Sequence, residues 1–380
     1  MDSVYKPAWS VNFFSSFPLR IYITPEKSMH NDVMISHHRH NIKRGDSMSQ
    51  KNAKLRLTAC LVAVIILIID NKTAFEAAME GFKICINVLI PSMFPLMVLC
   101  CMLTEFSVGV QSKLFNKICK RLGFPAGGES ILISGLLGGY PVGAIAVTEA
   151  YKKGSLSKTS AEKLLGCCSN AGPAFIFGVC ASQFSSAKYC LILWLIHIAS
   201  ALITMRITVA NRDNLQPYIS RKSINISLIV ANSVKNMANI CAWIILFRIL
   251  IHFLCRWFLW ALPNEITTMI IGILDLSNGA VMLESAANDS IRLVLASFML
   301  SFGGVCVYLQ TASVCADLST QKYIPSKLYQ GIISVILAFG CLVVMHRRIN
   351  WLLFLVPMLC MVIYLTKKKI YTGKIAKHHV

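Results

Sequence analysis

Acidic residues are scarce in this chain: Asp and Glu number 17 against 37 Lys and Arg in 380 residues. Charged residues of all kinds make up only 14%, hydrophobic residues 56%, and the mean hydropathy is +0.62. So little charge excludes an ordinary soluble domain, and several segments approach the roughly 20 apolar residues that a spanning helix needs. Metal-ligand spacing is also missing. The fifteen cysteines form no CxxC, and the adjacent pairs Cys100-Cys101 and Cys167-Cys168 suit neither a disulfide nor zinc. They read as small buried apolar side chains in a protein whose soluble faces are mainly reducing. No nucleophile–base pair, HExxH, Walker or dinucleotide fingerprint occurs, which disfavours an enzyme, and no cofactor is expected. The formal net charge of +20 does not imply nucleic acid, since no basic stripe carries interleaved aromatics. The basic residues sit in short connections and at the two ends, which is the positive-inside pattern of a multi-spanning protein in a lipid bilayer.

What is present centres on residues 127–178. This stretch is apolar enough for a bilayer, yet it is broken at Gly138, Gly139, Tyr140, Pro141 and again at Asn170, Ala171, Gly172, Pro173. Glycine frees the backbone and proline removes a donor, so peptide groups here must be buried in protein or face a watery cavity. Two such breaks close together point to a ligand path.

Taken in order, residues 1–50 read as a basic, disordered tail with the run His37-His38-Arg39-His40, and no secretory signal follows. Met48 would make an ordinary start, so the first 47 residues read as an upstream extension or an untranslated leader. Residues 55–69 are the first span, with Lys51, Lys54 and Arg56 holding the N-terminus inside. Residues 73–83 are amphipathic (Phe75, Ala78, Met79 and Phe82 against Glu76 and Glu80) and are expected to lie in the interface before a span at 84–103 kinked by Pro91 and Pro95. Residues 129–150 are flanked by Lys on both sides, so they are expected to form a re-entrant hairpin. Spans follow at 161–181, 189–205 and 242–259. A second hairpin at 265–286 then opens on the far side, before spans at 293–316, 328–345 and 351–365. The sequence thus predicts an all-α polytopic membrane protein with eight transmembrane helices and two re-entrant hairpins, both termini inside.

The halves repeat. Residues 80–87 are matched by 232–239, 133–144 by 271–280, and 169–175 by 301–307, in the same order. We divide the chain into the tail, a first repeat with an extra N-terminal span (51–222), a second, inverted repeat (223–346), and a last span with a basic tail (347–380). Inverted repeats with broken spans are how many secondary carriers build a midplane site. Half-helix N-termini at glycine breaks favour an anion such as a carboxylate. The candidate substrate-binding residues are Gly138, Gly139, Tyr140, Ser169, Asn170, Gly172, Pro173, Ser277, Asn278, Gly303, Gly304 and Gln310. Asp275, the best intramembrane ionisable group, is the candidate for ion or proton coupling. Lys83 and Lys235 occupy equivalent places near span starts and are expected to snorkel. His197, His252 and His346 stand alone in apolar runs and read as packing.

The phrases GLLGGYPVGA (135–144), EAYKKGSLSKTSAEKLLGCCSNAGPAFIFG (149–178), INVLIPSMFPLMVL (86–99) and SFGGVCVYLQ (301–310) resemble the sporulation integral membrane protein YlbJ family, whose members carry nucleoside-recognition "Gate" domains. The resemblance covers residues 51–369. It implies a protein of the outer forespore membrane that moves dipicolinic acid towards the developing spore and is needed for a normal spore cortex. The N-terminal extension, the high cysteine count and the degenerate second half depart from the family pattern. A non-transporting scaffold for cortex assembly, with unknown protein partners, and a nucleoside or ion carrier of the same fold are the alternatives.

Overall fold

The computed structural model describes residues 39–106, 113–125, 128–209, 225–315 and 317–346, and among these every regular element is helical. The chain divides into two compact units, residues 1–66 and 67–380. The first is represented by helix α1 (Arg39–Ile69), whose C-terminal half is the apolar run 55–69. It starts at Arg39, within the segment read from sequence as a basic tail. Extending a helix already nucleated by an apolar run needs only one residue at a time to be fixed.

In the second unit, six helices are long and apolar enough to cross a membrane: Asn71–Phe106, Lys158–Gln183, Ala187–Thr208, Ile226–Leu259, Asp289–Val314 and Tyr323–Met345. They coincide with six of the eight expected spans; of the other two, 55–69 lies in α1 and 351–365 lies outside the described residues. The molecule is an all-α polytopic membrane protein.

The first of the six corrects a boundary. Helix α2 (Asn71–Ile84), a π-helical turn (Cys85–Leu89) and α3 (Ile90–Phe106) run on without interruption, so 73–83 is no separate interfacial helix. Phe75, Met79 and Phe82 are exposed, whereas Thr73, Ala77 and Gly81 are buried. In lipid an outward apolar face is the ordinary state of a spanning helix. Asp70 caps the start, accepting from the Thr73 amide at 3.4 Å. The π turn falls just before Pro91, where the helix must lose a bond anyway, and Ser92 Oγ donates to the Val88 carbonyl at 2.6 Å.

After the amphipathic α4 (Lys113–Leu122) come α5 (Glu129–Leu137) and α6 (Val142–Lys152), joined by the turn 138–141. This is the expected first hairpin. Then follow α7 (Lys158–Cys168), the break 169–172, and α8 (Pro173–Phe175), which continues through a π turn to Cys180. Helix α9 (Ala187–Thr208) closes the series. The same order then recurs. A long helix, α10 (Ile226–Leu254), runs into a π turn ending at Leu259. The second hairpin is α11 (Asn264–Leu274) and the short α12 (Leu276–Val281). A broken span, α13 (Asp289–Phe302) and α14 (Gly304–Val314), precedes the plain span α15 (Tyr323–His346). Both broken spans are 26 residues long.

Each hairpin closes on a glycine pair. A Cβ on Gly143 would lie 2.8 Å from Gly135 Cα, and one on Gly279 would lie 2.3 Å from Gly272 Cα. Only glycine permits backbones so near, as in other close-packed membrane helices. Cys168, next to the first break, covers the first pair, and Met299, near the second break, covers the other.

Candidate functional site

The turn of the first hairpin and the two breaks meet in a buried polar cluster. Asn170, fully buried, donates through Nδ2 to the carbonyls of Cys167 (2.8 Å) and Gly135 (3.2 Å). These bonds occupy peptide groups released by the break and orient the amide oxygen the other way. That oxygen accepts from Gln330 Nε2 (3.0 Å) and from Lys327 Nζ (3.3 Å). Lys327 also donates to Gln330 Oε1 (2.7 Å) and lies 5.1 Å from the centroid of the Tyr140 ring. Tyr140 in turn donates to the Leu300 carbonyl (3.1 Å) at the second break. Gly303 has φ of +85°, and a Cβ there would stand 2.9 Å from the Tyr140 hydroxyl, so the left-handed glycine also makes room for the ring.

His197 joins the two breaks. The Ala171 amide donates to its Nε2 (3.1 Å), so the ring is neutral with its proton on Nδ1, which donates to Ser301 Oγ (3.2 Å). The Ser301 hydroxyl lies 3.4 Å from Ser200 Oγ, which donates to the His197 carbonyl at 2.9 Å. His197 therefore does more than pack.

Two spaces lie along α10, the smaller of them bordering this cluster through Tyr140. A small cavity of about 30 Å³ is walled by Tyr140, Gly172, Ser277 and Gln310 together with apolar residues such as Met93 and Ile244. A wider cleft of about 470 Å³ is walled by Glu105, Glu149, Lys152, Lys235, Asn236 and Ser313 among others. On α10, Asn236 and Asn239 face the cleft and Ile240 and Ile244 face the cavity; on α14, Ser313 and Gln310 divide in the same way. The cleft is thus a vestibule one helical turn from the cavity. Glu105 and Lys153 pair at its edge.

Beyond the cavity, the opposite way along α10, Arg248 donates to Glu80 Oε2 through Nη2 (2.6 Å) and Nε (3.1 Å), and to Asn278 Oδ1 through Nη1 (2.5 Å). Asn278 is held by Asp275 Oδ2 through its amide N (2.9 Å) and its Nδ2 (2.6 Å). The chain Glu80–Arg248–Asn278–Asp275 straps α2 and the second hairpin to α10 on the side away from the vestibule. His252 reaches within 3.9 Å of Glu80.

Of the residues proposed from sequence, Tyr140, Gly172, Ser277 and Gln310 line the cavity. Asn170, Gly303 and Gly304 shape its surroundings, and Gly139, at φ of +78°, sits against the Gly172 backbone. Gly138 ends α5, Pro173 opens α8, and Ser169 is buried at the break. Asn278 belongs to the strap. Asp275, 1% exposed, is the N-cap of α12. Lys83 is exposed, whereas Lys235 faces the vestibule. Lys327, Gln330, Arg248 and Glu80 were not foreseen. A lone Arg in the apolar run of α10 was the available signal for the strap.

The sporulation integral membrane protein YlbJ of Bacillus subtilis (strain 168) is 23% identical over 339 residues, covering 76% of this chain and 83% of that protein. The chain is a relative of YlbJ. That relationship and the six apolar spans make it an integral, multi-pass membrane protein. No protein-family profile matches the chain, and no solved structure does.

Proposed function

We propose that the protein is a secondary-type membrane carrier of a small organic anion, with dipicolinate as the leading cargo, acting at the outer forespore membrane without catalysing a reaction. The observation that carries this reading is the stacking of vestibule, cavity and strap along α10. A cavity of about 30 Å³ holds about one water, and ligand sites typically run to about 300–1,000 Å³. The vestibule, at about 470 Å³, is of ligand size. A dicarboxylate could therefore reach the breaks only if the hairpin turns part, which is what alternation between two openings requires. On the positive-inside rule the vestibule, lined by Lys152 and edged by Lys153, faces the mother-cell cytoplasm, as do both termini. The recurring element order supports two inverted repeats, 51–222 and 223–346, and Asp275 remains the candidate coupling group.

Uptake of labelled dipicolinate into proteoliposomes, with uridine and citrate as competitors, tests the reading. Saturable uptake, unaffected by uridine and lost in Asn170→Ala, is the expected result. Absence of saturable flux, with Asn170→Ala and Asp275→Ala both supporting normal sporulation, would favour a scaffold. Competition by uridine would favour a nucleoside carrier.

A further inference from the structure

Lys327 is fully buried, yet none of the ion pairs among the described residues includes it. Its acceptors, Asn170 Oδ1 and Gln330 Oε1, are neutral amides. Among the described residues, the titratable groups that bear on it are Cys167 and Cys168 from α7, His197 from α9 and Tyr140 from the first hairpin, with no carboxylate among them. A buried ammonium without a counter-ion is costly, and such groups persist in membrane proteins chiefly where they serve function. Its place is informative. The Tyr140 ring that lines the cavity lies within cation–π reach of the ammonium. Asn170, which accepts from Lys327, directly precedes the cavity residues Ala171 and Gly172.

We propose that Lys327 is the cation that recognises the carboxylate of the cargo, its missing counter-ion being supplied by the substrate. This rests on the carrier reading above and deepens it. The Asn170 and Gln330 oxygens hold the ammonium until the anion enters beside Tyr140. Gln330 lies one turn along α15 from Lys327 and so fixes its direction. A neutral molecule of the same shape gains nothing from the charge, which makes the site selective for anions.

The test compares pyridine-2,6-dicarboxylate with its neutral diamide in proteoliposomes containing the full chain. The wild type should take up the dicarboxylate and ignore the diamide. Lys327→Gln should raise the KM for the dicarboxylate at least tenfold while leaving the thermal transition of the purified protein within a few degrees. Gln330→Glu provides a second arm that keeps the lysine: an internal carboxylate beside Nζ should occupy the charge and weaken dicarboxylate uptake similarly. Unchanged KM in either folded variant overturns the assignment of Lys327 while leaving the carrier reading intact. A wild type that moves no dicarboxylate overturns both.

Discussion

The hairpins hold their turns at the cavity only because glycines let them press against their neighbours, and Gly143→Ala measures that dependence. The added Cβ would fall 1.6 Å from the Cys168 carbonyl oxygen, 2.6 Å from its carbon and 2.8 Å from Gly135 Cα. All three are backbone atoms, so no side chain can swing aside, and ordinary contact would require a retreat of about 2 Å. Overpacking of this kind costs about 1–3 kcal/mol, and obstruction by backbone on two sides puts this site at the upper end. Against it stands the better helix propensity of Ala, about 1 kcal/mol. The clash wins, and we expect a net loss of about 2 kcal/mol. Gly178→Ala is the control, since its Cβ would meet nothing within 4 Å and only the propensity gain remains. Thermal unfolding of the purified protein in detergent should show Gly143→Ala melting several degrees below the wild type and Gly178→Ala at or above it. In the second hairpin, Gly279→Ala meets the Gly272 backbone at 2.3 Å, whereas Gly272→Ala meets the flexible tip of Met299; the former should be the more damaging. Equal melting temperatures for Gly143→Ala and Gly178→Ala would refute the account of how the hairpin is seated.

The strap should respond to a change of charge alone. Glu80→Gln keeps an acceptor for Arg248 but removes the ionic part of a part-buried pair whose carboxylate is nearly half exposed, worth about 1 kcal/mol after solvent screening. Hydrogen exchange across 275–286 should accelerate about fivefold, and unchanged exchange would show that Arg248 does not hold the second hairpin. His197→Phe fills similar space but strands the Ala171 amide and takes one of two partners from the Ser301 hydroxyl, a loss of about 1–3 kcal/mol. His197→Gln, which can still accept from one and donate to the other, should recover part of that in the same melting assay.

The spans and breaks were legible because they rest on coarse signals, runs of apolar residues and clusters of glycine and proline. The first hairpin could be placed because Lys lies on both of its flanks. The extent of α2 was misread because a face of Phe75, Met79 and Phe82 opposite Glu80 fits an interfacial helix as well as a spanning one. What decides is Arg248, 168 residues away and invisible to local periodicity. Lys327 was missed for a sharper reason. The apolar run of α15 begins at Leu328, so the lysine just before it reads as a flanking charge of the positive-inside kind. Only the packing of α7 against the start of α15, where a Cβ on Gly166 would touch Ser326 at 2.7 Å, buries that end. The cavity residues Ile240, Ile244 and Met93 carried no signal beyond hydrophobicity.

The two breaks are each served by the other half of the chain. Asn170, in the first broken span, is met by Lys327 and Gln330 from α15, the last helix of the second half. Ser301, in the second broken span, is met by His197 from α9, the last helix of the first. Energy invested at one break is therefore felt across both halves, and a double-mutant cycle between Asn170 and Gln330 can measure it. Asn170→Ala leaves the Gly135 and Cys167 carbonyls and the Gln330 amide without their partner, while Gln330→Ala strips both Asn170 and Lys327 of one contact. With the direct bond at 3.0 Å and the shared ammonium between them, the coupling should fall within the range of about 0.5–3 kcal/mol for residues in one network. The sum of the single losses in thermal stability should then exceed the loss in the double variant. Strict additivity would mean that the halves bear on the breaks separately, and a site built from both would lose its physical basis.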